Sequence, residues 1–126
     1  MERRSFLAAS ALLGLMGNAA VAADPARLLY GLIGKMKAVP GQRDALIAAV
    51  LEGSAAMPGC LSYIVARDVD DADAIWITEV WDSEASHDAS LQLPAVQASI
   101  AKARDLVASM ETGVVTTPVG GIGLKA

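Results

Sequence analysis

Four strand-like and two helical segments follow one another in the order βαββαβ, and the class this predicts is α+β, ferredoxin-like. Three observations carry the prediction. Apolar residues recur with period two in four segments bounded by Pro-Gly or aspartate-rich turns. Helical periodicity fills the gaps between the first and second strands and between the third and fourth. Both faces of the strands are rich in apolar side chains, so one sheet face is available for a second layer.

Leu28 to Lys37 reads as the first strand, with Leu28, Tyr30, Leu32, Gly34 and Met36 on one face and Leu29, Gly31, Ile33, Lys35 and Lys37 on the other. Pro40-Gly41 breaks it. Gln42 to Ala56 reads as a helix, with Leu46, Ile47, Val50 and Leu51 at helical spacing, stopped by Met57-Pro58-Gly59. Cys60 to Arg67 is the second strand: Leu61, Tyr63 and Val65 oppose Cys60, Ile64 and Ala66. Asp68 to Asp73 holds four aspartates in six residues and reads as an exposed turn. It lacks the glycine and terminal glutamate of a calcium loop. Ala74 to Trp81 is the third strand, with Ile75 and Ile77 against Trp76 and Val80. Asp82-Ser83 starts a second helix with Glu84 in its first turn. Pro94 opens a continuation whose stripe, Val96, Ile100, Ala103, Val107 and Met110, ends before Gly113. Val114 to Thr117 is the expected fourth strand. The folded domain is expected over 24–118, with a flexible glycine-rich tail over 119–126.

With both helices on one sheet face, the opposite face would lie bare in a monomer. Its apolar residues predict a second copy packed sheet on sheet as a two-fold homodimer.

The first 23 residues read as an export leader. Arg3-Arg4 precedes an apolar stretch from Phe6 to Met16 and a small-residue end at Val21-Ala22-Ala23. A bilayer span needs about 20 apolar residues, more than this stretch supplies. Arg3-Arg4-Ser5-Phe6-Leu7 resembles the twin-arginine export signal. The expectation is a periplasmic or secreted protein with no stable membrane insertion once the leader is cleaved.

Composition closes many functional classes. The chain of 126 residues has a formal net charge of −4 and no basic cluster, which argues against nucleic acid and anionic membrane surfaces as partners. One cysteine, Cys60, excludes an intramolecular disulfide and a cysteine-rich zinc site. One histidine, His87, excludes a His-pair metal motif. His87 is also the one side chain whose ordinary pKa suits a general base near neutral pH.

Three strings carry a family resemblance: Lys37-Ala38-Val39-Pro40-Gly41-Gln42-Arg43, Met57-Pro58-Gly59-Cys60-Leu61-Ser62-Tyr63, and Ala74 through Trp81 followed by Asp82-Ser83-Glu84-Ala85-Ser86-His87. In this order and spacing they resemble the antibiotic biosynthesis monooxygenase family, and within it the quinol monooxygenase branch. The resemblance spans about residues 28–110. It implies a dimeric α+β barrel with a pocket in each subunit between sheet and helices. It further implies oxidation of an electron-rich aromatic, such as a quinol or anthrone, by O2 with no metal or organic cofactor. Some relatives bind and degrade haem, and others have no demonstrated activity.

Cofactor-free oxygenation needs a base to make the substrate a one-electron donor, an apolar pocket that excludes water, and a donor for the oxyanion formed. His87 is the candidate base and Tyr63 the candidate orienting hydroxyl. Trp76, Trp81, Tyr30 and Glu79 are candidate pocket residues. Trp76 and Trp81 are five apart, so they point to opposite faces of one strand. Glu79 shares a face with Ile75 and Ile77, where burial would raise its pKa. Cys60 reads as a small buried hydrophobe. Two other readings use the same residues: a dimeric module that binds a hydrophobic small molecule without chemistry, and a haem protein with His87 as axial ligand.

Overall fold

A computed structural model describes residues 28–124; the leader expected over 1–23 lies outside them. The described chain runs β1 (Tyr30–Ala38), α1 (Arg43–Gly53), β2 (Cys60–Arg67), β3 (Ala74–Trp81), α2 (Glu84–Ser90), α3 (Pro94–Arg104) and β4 (Val107–Thr116). The strands form one sheet in the order β2-β3-β1-β4, with every neighbouring pair antiparallel. This is the ferredoxin-like α+β plan expected from the sequence. Among the described residues no helix is long and apolar enough to cross a membrane.

The bounds of β2 and β3 coincide with the sequence reading, because strong turn chemistry flanks both strands. Between them, Asp68 Oδ1 accepts the backbone N–H groups of Asp70 and Asp71 at 2.8 and 3.0 Å. Its Oδ2 accepts the indole N–H of Trp76 at 2.8 Å. These donors hold the Asp68 carboxyl down at about 2. Arg43 at the start of α1 donates from Nη1 to the carbonyls of Asp68 and Asp71 at 3.2 and 2.9 Å, tying the turn to the helix. The aspartates therefore satisfy their own backbone and nearby donors.

The fourth strand differs from expectation. Helix α3 ends at Arg104, and β4 begins at Val107 rather than Val114. The stripe through Ala103, Val107 and Met110 fits a helical period, but Val107 to Met110 also fits a strand. Backbone pairing decides between them. Ala38, Lys37 and Met36 need partners on the outer side of β1, and Val107, Ser109 and Met110 supply them. Two register shifts, between Lys35 and Met36 and between Lys37 and Ala38, absorb the irregular spacing. Helix α1 likewise stops at Gly53, not Ala56: Ser54 turns back to the carbonyls of Val50 and Leu51.

Among the described residues, helices cover one sheet face only. Met36, Ala38, Leu46, Val50, Ile75, Ile77, Ala103 and Val107 form the main core. Leu46 and Ile75 are wholly excluded from solvent, each stabilising the fold by about 1.5–3 kcal/mol. A second cluster, Tyr30, Leu32 and Trp81, lies at the other end of β1. Helices α1 and α3 meet at Gly53 and Ser99, where any side chain on Gly53 would collide with Ser99. The Ser99 hydroxyl donates to the Ala49 carbonyl at 2.7 Å. Between the two core clusters the packing is incomplete, and the gap is the site described next.

Candidate functional site

A cavity of about 110 Å³ lies between the sheet and the three helices. Its floor is Leu32, Ile33, Gly34, Met36, Tyr63, Ile77, Glu79, Trp81 and Gly113; Val50, Gly53, Ser54 and Met57 line one side, His87, Ser90 and Leu91 another, and Val96, Ser99, Ile100 and Met110 the rest. The sheet register explains the void. Gly34 sits on the helix-covered face between Leu32 and Met36, opposite Gly113 of β4. A side chain at Gly34 would meet nothing closer than the Thr112 carbonyl at 3.7 Å, so its absence leaves the space open. We expect Gly34→Val to keep the fold, with stability equal or up to about 1 kcal/mol higher. It should weaken binding of any cavity ligand; unchanged binding in an equilibrium titration would show that the ligand sits elsewhere.

His87 reaches the cavity because α2 is pinned at its start. Ser83 caps the helix by accepting the Ser86 N–H at 3.1 Å. The Asp82 N–H donates to the Gly59 carbonyl at 2.9 Å, fixing the strand-to-helix corner. Gly59 has φ +85°, and a side chain there would strike Ser86. His87 is then turned inward and is 2% exposed. Its ring lies 5.3 Å from Tyr30 and edge-on to Trp81 at 5.5 Å. Nδ1 is 3.2 Å from Asp88 Oδ1. In the tautomer with the proton on Nδ1, that proton is donated to Asp88, and Nε2 keeps its lone pair for an incoming acid.

Glu79 sits in the middle of the floor, directly across from Leu32 on β1 and Tyr63 on β2. Two residues along the same face, the Trp81 indole donates to Glu79 Oε1 at 2.9 Å. Burial raises the Glu79 pKa, while this hydrogen bond and His87 oppose the rise. Burial and the nearby Glu79 charge push the Tyr63 phenol far above its ordinary value, so it stays protonated as a hydrogen-bond donor. Cys60, half-buried beside these groups, is likewise pushed up by burial and Glu79, which keeps it a thiol.

His87, Tyr63, Glu79 and Trp81 thus line one cavity. Two residues expected in the pocket do not. Trp76 lies on the opposite sheet face, where it donates to Asp68 and carries the Lys35 ammonium 5.6 Å from its ring; strand alternation forbids it the side that Trp81 occupies. Tyr30 shares the helix-covered face but lies behind His87, outside the lining, and its buried hydroxyl has no hydrogen-bond partner among the described residues. Met57, Ser90 and Leu91 were not singled out by sequence as site residues. Val96, Ile100 and Met110 read there as members of one helical stripe; all three are half-buried and face the void. Among the described residues no cluster of three or more His, Cys, Asp or Glu could hold a metal ion.

The family model of the antibiotic biosynthesis monooxygenases matches residues 29–102. A solved structure from Chloroflexus aurantiacus J-10-fl that carries this family's name is 64% identical, covers 74% of this chain and 95% of its own, and superposes with a TM-score of 0.73. Structures bearing the same name from Bacteroides thetaiotaomicron VPI-5482 and Caulobacter crescentus CB15 are 19% and 18% identical. They cover 80% and 74% of this chain and 98% and 90% of their own, with TM-scores of 0.67 and 0.62, and show the shared fold. No curated protein matches. Sequence and fold together show that the chain belongs to the antibiotic biosynthesis monooxygenase family.

Proposed function

We propose that the domain is a cofactor-independent monooxygenase that oxidises an electron-rich aromatic, a quinol or anthrone, with O2. One observation carries this reading: an apolar cavity into which a buried imidazole, a carboxyl group and a phenol converge. The imidazole Nε2 takes a proton from the substrate O–H or from its acidic C–H. The resulting anion gives one electron to O2. Substrate radical and superoxide recombine to a peroxide, and loss of water leaves a new C=O bond. The net change at an anthrone carbon is CH2 + O2 → C=O + H2O, and the base is returned unprotonated. The Tyr63 hydroxyl donates to the substrate oxygen as charge builds on it. Apolar walls keep bulk water from the anion.

The test is O2 uptake by the purified protein over a panel of quinols and anthrones, with and without a chelator. Chelator-resistant uptake above autoxidation is expected. Saturable binding without uptake would replace this reading with a binding module. Haem fits the residues poorly. Among the described residues no lysine or arginine lines the cavity to meet its propionates, and the imidazole is wedged between Tyr30 and Trp81. No step of the proposed reaction passes through it. A Soret band on haem titration that vanished in His87→Ala would favour the haem reading instead.

The working unit we propose is a homodimer joined through the open sheet face. One row across that face reads Ile64, Thr78, Ile33, Val114. Ile64 is 59% exposed and Val114 45%, a large apolar surface for a free monomer. We expect a dimer by light scattering at micromolar concentration and a monomer after Ile64→Lys with Val114→Lys; a monomeric parent would refute the arrangement. The leader-like residues 1–23 support action outside the cytoplasm, and cell fractionation of the full chain tests this.

A further inference from the structure

We propose that the cavity selects neutral, uncarboxylated aromatics and that Glu79 is the residue that turns anionic ones away; this rests on reading the cavity as a quinol or anthrone site. The ionisable side chains of the lining are Glu79, His87 and Tyr63, with no lysine or arginine among the lining residues. The cations nearest in sequence to these elements are engaged elsewhere. Lys35 and Lys37 pair with Asp68 and Asp71. Arg43 is bound to turn carbonyls, and Lys102 pairs with Glu52 on the surface. A carboxylate drawn into this space would lose its water and find no lysine or arginine to pair with; the one basic group of the lining, the His87 imidazole, must stay neutral to act as the base. It would also meet the Glu79 carboxyl, which the Trp81 indole holds in place by donating to Oε1. A neutral hydroxyl meets no such obstacle: it can donate to Glu79 or to His87. Its ring fits a wall that includes Met36, Met57 and Met110, side chains that adapt to flat apolar shapes.

The probes are 1,4-dihydroxynaphthalene and its 2-carboxylate, titrated without oxygen against the full chain. The Trp76→Phe background leaves Trp81 as the fluorescent reporter in the cavity. We expect the carboxylate to bind at least about tenfold more weakly, the scale of a like-charge juxtaposition without compensation. Glu79→Gln keeps an oxygen for the Trp81 indole and should narrow that gap severalfold. Ser54→Arg, which adds a cation to the lining, should narrow it independently and decides the matter if Glu79→Gln does not fold. Equal binding of the two probes to the parent, or a gap that neither variant changes while the neutral probe still binds, overturns the selectivity and leaves the oxygenase reading standing. Failure of both probes to bind overturns both.

Discussion

Replacing His87 with asparagine is expected to lower O2-dependent turnover of a responsive quinol by about 10²–10⁴-fold, the usual worth of a positioned general base. Asparagine keeps a polar side chain of moderate size against Tyr30 and Trp81, so the change in activity should exceed any change in folding. The effect should fall on kcat more than on KM, because the imidazole acts on a proton and most of the wall that holds the ring is apolar. Asp88→Asn should cause a smaller loss by weakening the preference for the Nδ1–H tautomer. Oxygen-electrode rates on the two variants and the parent decide the assignment. If the asparagine variant turns over within a few-fold of the parent, His87 is not the base, and Glu79 becomes the candidate because it lines the same cavity with a pKa already raised by burial.

The residues that could be placed by sequence and those that could not divide along physical lines. Alternation along β3 put Glu79 and Trp81 on the face of Ile75 and Ile77, and the structure keeps them there. Alternation also put Trp76 on the other face, yet that face is apolar too, so hydrophobicity alone could not exclude it from the pocket. Tyr30 has the right parity and pairs directly across from Trp81, but the His87 ring packs against it and it stays outside the lining. Which row holds the gap depends on Gly34, and a glycine in a strand pattern reads as a weak spot in the strand before it reads as a cavity floor. Met57 and Met110 were hidden for a related reason: one lies in a turn and the other in a segment whose helical and strand periods coincide. The imidazole was legible as a candidate base from its chemistry. Its burial was not, since that depends on the Gly59 to Asp82 corner, a contact across more than twenty residues of sequence.

Trp81 joins the core to the site, and its truncation carries the largest expected loss of stability. The indole is 1% exposed, so Trp81→Ala should cost about 3–5 kcal/mol, a large share of the roughly 5–15 kcal/mol that holds a typical domain together. Trp81→Phe separates packing from hydrogen bonding. It retains much of the buried area but removes the N–H that Glu79 Oε1 accepts, at about 1–3 kcal/mol when the carboxyl is ionised. The sign of its pH dependence follows from Glu79. Burial raises the folded-state pKa of this carboxyl above its unfolded value, so the stability it contributes is full below the unfolded pKa and is lost as pH rises through the folded one. The indole hydrogen bond offsets part of that loss by favouring the ionised form. Without it the Glu79 pKa climbs further, and the penalty of Trp81→Phe relative to the parent should grow from acid to mildly alkaline pH. Urea unfolding at two pH values, one on each side of Glu79 titration, measures this directly. In a Glu79→Gln background the pH-dependent part of the penalty should disappear, because the group that titrates is gone. A penalty independent of pH in both backgrounds would mean that Trp81 acts as a wall alone and leaves the charge state of Glu79 to burial.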